Sequence, residues 1–353
     1  MKNDMIKIGY YPFNNDTNAF VKISKAAIAS IGYEVTDANI KVTKFHFINN
    51  KCVILNWFEG LNNDRFKKIK DYILKSCYLF VCLIFRIKIV SVFHNRKPHN
   101  SKMSALQYRM IRKLFEKSDK IIILSKQSTQ YIKEFKVKDV VEKCFYIPHP
   151  NYIGAYGEYV GEKIFDVNKL KILFFGSVSP YKNIELIIEV AKKIKNENVE
   201  FYIVGKPSDK FYAEHLLNIC QNESNIHLIL KFIDDIEVAK YISNCDIMIL
   251  PYDNSSLNSG TAILAFSFAK TVICPDISTV NDYNKKNMYI YSYENDDEHL
   301  SVLIETCQKV ISDFEKNSRI ISYKGESMKQ EVIKKNSFEI VCKRYNELLK
   351  KLV

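Results

Sequence analysis

Leu173-Phe174-Phe175-Gly176-Ser177-Val178-Ser179-Pro180-Tyr181-Lys182-Asn183 is the stretch on which the fold of this chain turns. An apolar run from Ile172 to Phe175 stops at one glycine, crosses a short polar turn with a proline, and presents a lysine. Apolar residues then recur at Ile184, Ile187, Ile188, Ala191 and Ile194, the spacing of one helical face. Strand, tight loop and helix opening, in that order, let backbone N–H groups and a helix N-terminus face an anion, with Lys182 adding a full positive charge. An ordinary βα turn with a solvated lysine has the same local pattern, so the rest of the chain must decide between them.

The alternation continues on the C-terminal side. Strand Val199–Val204 ends in Gly205-Lys206-Pro207, helix Asp209–Cys220 leads to strand Ile226–Leu230, and helix Asp234–Ser243 follows. Strand Asp246–Leu250 ends in Pro251-Tyr252-Asp253. A polar loop, Asn254–Ser259, then gives way at Gly260-Thr261 to helix Ala262–Ala269 and strand Thr271–Cys274. Near-continuous apolar strands alternating with helices indicate a parallel sheet covered on both faces. Three loops, Gly176–Lys182, Gly205–Pro207 and Asn254–Thr261, are therefore expected at one sheet edge, where small residues before helix starts offer backbone N–H groups to a diphosphate. The sequence contains neither GxxxxGK[ST] nor GxGxxG, which argues against a Walker loop and a dinucleotide site.

On the N-terminal side, Ile6–Tyr11, Phe45–Phe47, Cys52–Trp57, Lys88–Phe93, Lys120–Leu124 and Cys144–Ile147 read as strands or strand fragments. Ala19–Ile31, Asn63–Phe85, Lys102–Lys117 and Gln127–Phe135 read as helices. Lys88–Phe93 delivers His94-Asn95-Arg96-Lys97-Pro98-His99 to its C-terminal end, where open α/β sheets hold their ligands. Pro148-His149-Pro150 and a polar Gly/Tyr stretch to Glu162 break the pattern and mark a domain boundary. The expected organisation is a first α/β domain over 1–160, a second over 161–330, and a tail over 331–353 that packs back toward the first. Met328–Val353 reads as one or two basic amphipathic helices. Two such halves leave a cleft between their carboxyl edges, a common ligand site.

With 353 residues, 47% of them hydrophobic and 26% charged, the chain has the material for two globular cores. The net charge of +12 suits an anionic partner, and because the lysines are scattered, a nucleic-acid-binding tail is not expected. Nine cysteines without CxxC spacing point to free thiols in a reducing compartment, and no secretory signal opens the chain, so a cytoplasmic location is expected. The longest apolar stretch, Tyr72–Phe85, carries Lys75 and is too short to span a bilayer. It reads as a buried helix or, with Lys67, Lys68, Lys70, Arg86 and Lys88 around it, as one lying peripherally on the anionic inner face of a membrane. No Asp-x-Asp and no histidine cluster at ligand spacing occurs, so neither a metal nor another cofactor is expected.

Phe174–Asn183, then Tyr202-Ile203-Val204-Gly205, then Cys245–Pro251 and the helix ending Lys270-Thr271-Val272-Ile273 resemble, in order and interval, the donor half of a family 4-type GT-B glycosyltransferase over residues 170–280. The His94–His99 loop and the Tyr146-Ile147-Pro148-His149 turn extend the resemblance into the first half. It implies two Rossmann-like doubly wound domains facing across a cleft, the first binding an acceptor and the second a nucleotide-sugar donor. It also implies that Gly176 and Ser177 border the donor diphosphate, that Lys182 pairs with it, and that Gly205, Lys206, Phe232 and Ile233 border the base. His94 would reach the transferring sugar, with Asn95, His99 and His149 at the acceptor side.

Two departures stand out. The family places a basic residue just after the first-loop glycine, where this chain has Ser177 and Val178, and paired glutamates around the last loop, where it has Ser256 and Leu264. Asn258, Ser259, Gly260 and Thr261 remain to hold phosphate oxygens at a helix N-terminus. Each histidine also has a plain structural reading, a loop hydrogen bond for His94 and turn-shaping beside proline for His99 and His149. Asp16, Glu59 and Asp253 are the loop carboxylates from which a general base could come. The expected activity is that of a metal-independent hexosyltransferase moving a sugar from a UDP- or GDP-sugar to a lipid-linked or polysaccharide acceptor, as in assembly of surface polysaccharide such as capsule. The alternatives are a non-catalytic relative that binds a nucleotide sugar or a partner, and an epimerase or phosphorylase on the same architecture.

Overall fold

The computed structural model of the chain describes residues 5–15, 18–39, 46–96, 103–161, 164–165, 168–253 and 256–353. The chain divides into two compact units, residues 1–150 with 335–353, and residues 151–334. The break falls at Pro150 rather than at 160, and the C-terminal return begins at 335 rather than 331.

In the first unit the elements run β1 (Lys7–Tyr11), α1 (Ala19–Ser30), β2 (Glu34–Asp37), β3 (Cys52–Asn56), α2 (Arg65–Ile84) and β4 (Lys88–Phe93). They continue with α3 (Ala105–Lys117), β5 (Lys120–Ile123), α4 (Ser128–Ile132) and β6 (Cys144–Tyr146). The six strands form one parallel sheet in the order β2-β1-β3-β4-β5-β6. Every residue of β3 is buried, as a strand with helices on both faces requires. The direction of strand addition reverses between β1 and β3, which puts the ligand crevice of such a sheet outside their carboxyl ends.

The strand expected over Phe45–Phe47 is not found among the described residues. Phe45 lies outside them, and Phe47 sits in a 3-10 turn, His46–Asn49, fully buried with its ring 4.2 Å from that of Tyr78 on α2. Its apolarity serves packing rather than pairing. The strand of that region is β2, Glu-Val-Thr-Asp, half-buried throughout at the sheet edge.

The second unit runs β7 (Leu170–Phe175), α5 (Ile184–Lys193), β8 (Val199–Val204), α6 (Lys210–Ile219), β9 (Ile226–Ile229) and α7 (Asp235–Asn244). Then come β10 (Ile247–Ile249), α8 (Gly260–Ser267), β11 (Thr271–Pro275), β12 (Tyr289–Tyr291), α9 (Asp296–Lys316) and α10 (Arg319–Asn336). All six strands are parallel, in the order β12-β11-β10-β7-β8-β9. The reversal here lies between β7 and β10, so the stretch ending at Gly176 borders the switch point.

The chain ends on α11 (Phe338–Leu349), which belongs to the first unit. Val341, Tyr345, Leu348 and Leu349, at helical spacing, join the core made by Ile8, Tyr10, Phe20, Val21, Ala27 and Ile28. Leu348 and Leu349 are fully buried, each contributing roughly 1.5–3 kcal/mol of burial, so the first unit depends on this distant segment.

Candidate functional site

At the carboxyl end of β7 the chain passes through Gly176 at φ +137°, a backbone region that L side chains rarely enter. Val178 then turns inward and extends the parallel ladder beyond the strands. Its N–H donates to the Lys206 carbonyl (2.9 Å) and its carbonyl accepts from Ser208 (2.8 Å). The two chains are so close that a Cβ at Gly205, itself at φ +150°, would lie 1.7 Å from the Gly176 oxygen. The first two loops expected at this edge are thus one interlocked structure.

Pro180–Lys182 makes a single 3-10 turn, and Asn183, at φ +54°, starts α5. The Asn183 side chain donates to the Pro251 carbonyl at 2.9 Å, joining the β7 loop to the end of β10 across the switch point. In the third loop Leu257 and Ser259 are buried, and Thr279 ties the backbone together by accepting from Ser259 N (2.8 Å) and donating to Leu257 O (3.0 Å). Ser259, expected as a phosphate contact, is the N-cap of α8. Its hydroxyl oxygen accepts from Ala262 N at 3.0 Å. The group that faces the first loop is Thr261, whose Oγ1 is 4.0 Å from where a Cβ on Gly176 would be. Gly260 and Thr261 occupy the first turn of α8, where N–H groups have no partner within the helix.

Lys182 is half-buried with its Nζ 3.9 Å from the centre of the Tyr252 ring and 5.1 Å from that of Tyr181. Burial acts most strongly, to lower its pKa, but Tyr252, Tyr181 and Asp253 together outweigh it and the pKa is raised. The ammonium therefore stays charged. Ser177 is exposed, its hydroxyl 2.9 Å from that of Ser179. Lys206 is exposed while its carbonyl serves the ladder; Phe232 is exposed and Ile233 buried just beyond β9, on the outer side of β8. Asn258 is half-buried ahead of the α8 cap. Of the two positions where the resemblance calls for glutamates, Ser256 is half-buried and Leu264 packs in the core at 7% exposure.

The first-unit residues gather at their own switch point. His94, after β4, is buried, stacked on Trp57 (ring centres 4.1 Å apart, planes at 18°) and edge-on to Phe20. Its Nε2 is 2.9 Å from Asn56 Oδ1, and Asn56 Nδ2 donates to the Tyr11 carbonyl at 2.9 Å. A carbonyl only accepts, so the amide nitrogen must face Tyr11 and Oδ1 must face the ring. His94 Nε2 is then the donor. Asn56 and Trp57, unassigned above, orient this imidazole.

His149 is buried 5.0 Å from the Phe20 ring, with Nδ1 2.9 Å from the Pro150 carbonyl and its own carbonyl bound by Asn336. Burial pushes its pKa down to about 4, against the raising effect of the Pro150 hydrogen bond. Asn95 is half-buried beside His94; His99 and Asp16 lie outside the described residues. Among the described residues, no three His, Cys, Asp or Glu side chains come together as a metal site would need.

Residues 158–327 match the family described as glycosyl transferases group 1. The matched residues make up most of the second unit. A GDP-mannose:glycolipid 4-beta-D-mannosyltransferase from Xanthomonas campestris pv. campestris is 30% identical over 105 residues, 30% of this chain and 30% of that relative. Among solved structures, sucrose-phosphate synthase from Thermosynechococcus elongatus superposes with a TM-score of 0.76 at 13% identity, covering 98% of this chain and 99% of that one. Anabaena HepE in complex with UDP and glucose superposes with a TM-score of 0.73 at 12% identity, covering 98% and 100%. The two parallel six-stranded sheets are those of the GT-B glycosyltransferase fold.

Proposed function

We propose that this protein is a group 1 glycosyltransferase that moves a hexose from a UDP- or GDP-sugar to a lipid-linked or polysaccharide acceptor in the building of surface polysaccharide. The observation that carries the proposal is the meeting of the Gly176 loop, Thr261 on the first turn of α8, and the Asn183–Pro251 link at the β7/β10 switch point. A backbone edge without side chains, first-turn N–H groups and a nearby fixed ammonium suit a diphosphate. In this arrangement the Gly176 and Ser177 backbone lies along the diphosphate, and Thr261 with the α8 N–H groups donates to its oxygens. Lys182 stabilises the charge that grows on the leaving diphosphate, so no metal is needed for that step. Gly205, Lys206, Phe232 and Ile233 border the base, and His94 reaches the transferring sugar. The HepE complex with UDP and the GDP-mannose named for the Xanthomonas relative support a nucleotide sugar and leave both nucleotides open.

A thermal-shift screen against UDP, GDP and ADP tests the donor site, because a ligand of the folded state raises its melting point. UDP or GDP is expected to do so, and Lys182→Ala to weaken that nucleotide by about 10–100-fold, the range for one charged hydrogen bond. A screen with no shift, or Lys182→Ala binding as the parent does, refutes the assignment. Ser256 and Leu264 in place of glutamates favour a second reading, a binder without turnover. Product formed from any UDP- or GDP-sugar, and lost with Lys182→Ala, excludes it.

A further inference from the structure

Helix α2 is buried along one side only, through Tyr78, Leu79 and Cys82. Lys75 is on this inner side as well, its ammonium held by the carbonyls of Phe58 and Gly60. The opposite side carries Phe66 (82% exposed), Ile69 (46%), Ile73 (55%), Phe80 (62%) and Ile84 (59%). These positions follow at intervals of three, four, seven and four residues, so they form a single stripe about 27 Å long at 1.5 Å per residue. A helix with two apolar faces, one in the core and one in solvent, has a surface waiting to be covered.

The charges around the stripe select what covers it. Residues 63–88 hold seven basic side chains against two acidic ones. Arg65, Lys67, Lys70 and Arg86 are exposed. A second copy meeting this face would bring the same basic rim against itself. The stripe also lacks a coiled-coil seam, because the position between Ile73 and Phe80 is Ser76, bonded to the Tyr72 carbonyl and Lys113. An anionic lipid surface satisfies both features, since it accepts aromatic and aliphatic side chains at its boundary and attracts lysines from the headgroup level. No helix among the described residues is long and apolar enough to cross a membrane, so α2 would lie in the interface plane.

We infer that α2 is the membrane-docking surface of this protein, seated through Phe66, Ile69, Ile73, Phe80 and Ile84 on an anionic bilayer. The placement deepens the proposed function: α2 follows the carboxyl end of β3, so its N-terminal turn lies on the side of the sheet that carries Asn56, Trp57 and His94. An acceptor anchored in the same lipid surface is thereby brought to that edge.

The test is sedimentation of the full chain with vesicles of phosphatidylglycerol and phosphatidylcholine, and with phosphatidylcholine alone. Binding only to the anionic vesicles, weakening with salt, is expected. The pairs Ile73→Asp with Phe80→Asp, and Lys67→Glu with Lys70→Glu, are each expected to weaken it by at least about tenfold. Both pairs replace exposed side chains, and an unchanged melting point certifies their folding. Equal binding to neutral vesicles, no binding, or indifference to both pairs overturns the inference. So does a dimer in solution that Ile73→Asp with Phe80→Asp turns into a monomer, which would assign the stripe to a second copy. Vesicle binding is read without any nucleotide, so failure of the donor site leaves this result standing, and the reverse.

Discussion

A methyl group added at Gly176 would meet no described atom closer than Thr261 Oγ1, 4.0 Å away. The cost of Gly176→Ala to folding is therefore the backbone strain of an L residue at φ +137°, about 1–3 kcal/mol. For a unit of this size that lowers the melting point by on the order of 5 °C. The same methyl occupies the space between the first loop and α8, where the diphosphate is placed, and removes one or two charged contacts. The expected loss of UDP or GDP affinity is about 10–100-fold or more. Gly205→Ala behaves differently. Its Cβ lies 1.7 Å from a backbone oxygen, and Gly176 cannot retreat without breaking its own bond to Val204 and the Val178–Lys206 bond. Two hydrogen bonds and the strain together come to about 3–5 kcal/mol, enough to unfold the second unit at moderate temperature. Thermal unfolding of both variants with and without saturating nucleotide separates the cases. Gly176→Ala with the parent's nucleotide shift would refute the placement of the diphosphate, and Gly205→Ala melting like the parent would refute the steric argument.

Two further outcomes follow from the first unit. Asn56→Leu removes the side-chain bonds to the Tyr11 carbonyl and to His94 Nε2, and is expected to cost about 1–3 kcal/mol of stability and to lower transfer while UDP and GDP binding is untouched; equal loss of nucleotide binding would show general damage instead. For His149, the folded pKa of about 4 lies below the usual value near 6.5, so the unfolded chain binds the extra proton and stability falls as pH drops from 6.5 toward 4. About 1.5 kcal/mol should go between pH 6.5 and 5, and urea melts of His149→Gln should show that slope flattened.

The second unit's sheet was legible because a parallel strand buried on both faces reads as a near-continuous apolar run, as Ile-Leu-Phe-Phe in β7 and Val-Ile-Cys in β11 do. Edge strands lack that signal. Glu34–Asp37 is polar and half-buried, and Tyr289–Tyr291 has three residues. Helix α9 went unassigned although Asn295, followed by Asp296, Asp297 and Glu298, is a strong helix start. Within the site, glycines at strand ends announced two loops, whereas contacts between residues far apart in sequence did not announce themselves. Tyr252 over Lys182, Thr279 beneath Ser259 and Asn56 against His94 exist only once the strands are aligned. Ser259 was open to a better reading, because a serine immediately before a helix is first of all a cap.

The way Lys182 is held bears on what replaces the glutamates at 256 and 264. A carboxylate beside an ammonium neutralises it, and an arriving diphosphate must then displace a counter-charge. An aromatic face attracts the same ammonium by its quadrupole, for about 0.5–2 kcal/mol, and leaves the net charge in place. With Tyr252 at 3.9 Å and Tyr181 at 5.1 Å, Lys182 is positioned by neutral rings, while Asp253 is exposed to solvent that screens it. The site thus keeps a positive potential at the β7/β10 switch point, which an uncharged Ser256 and a packed Leu264 do nothing to offset. If a nucleotide sugar binds here as proposed, it depends on its diphosphate more than on hydroxyl contacts to its sugar, and relaxed choice among sugars on one nucleotide is the expected outcome, to be checked by comparing transfer from several sugars on that nucleotide.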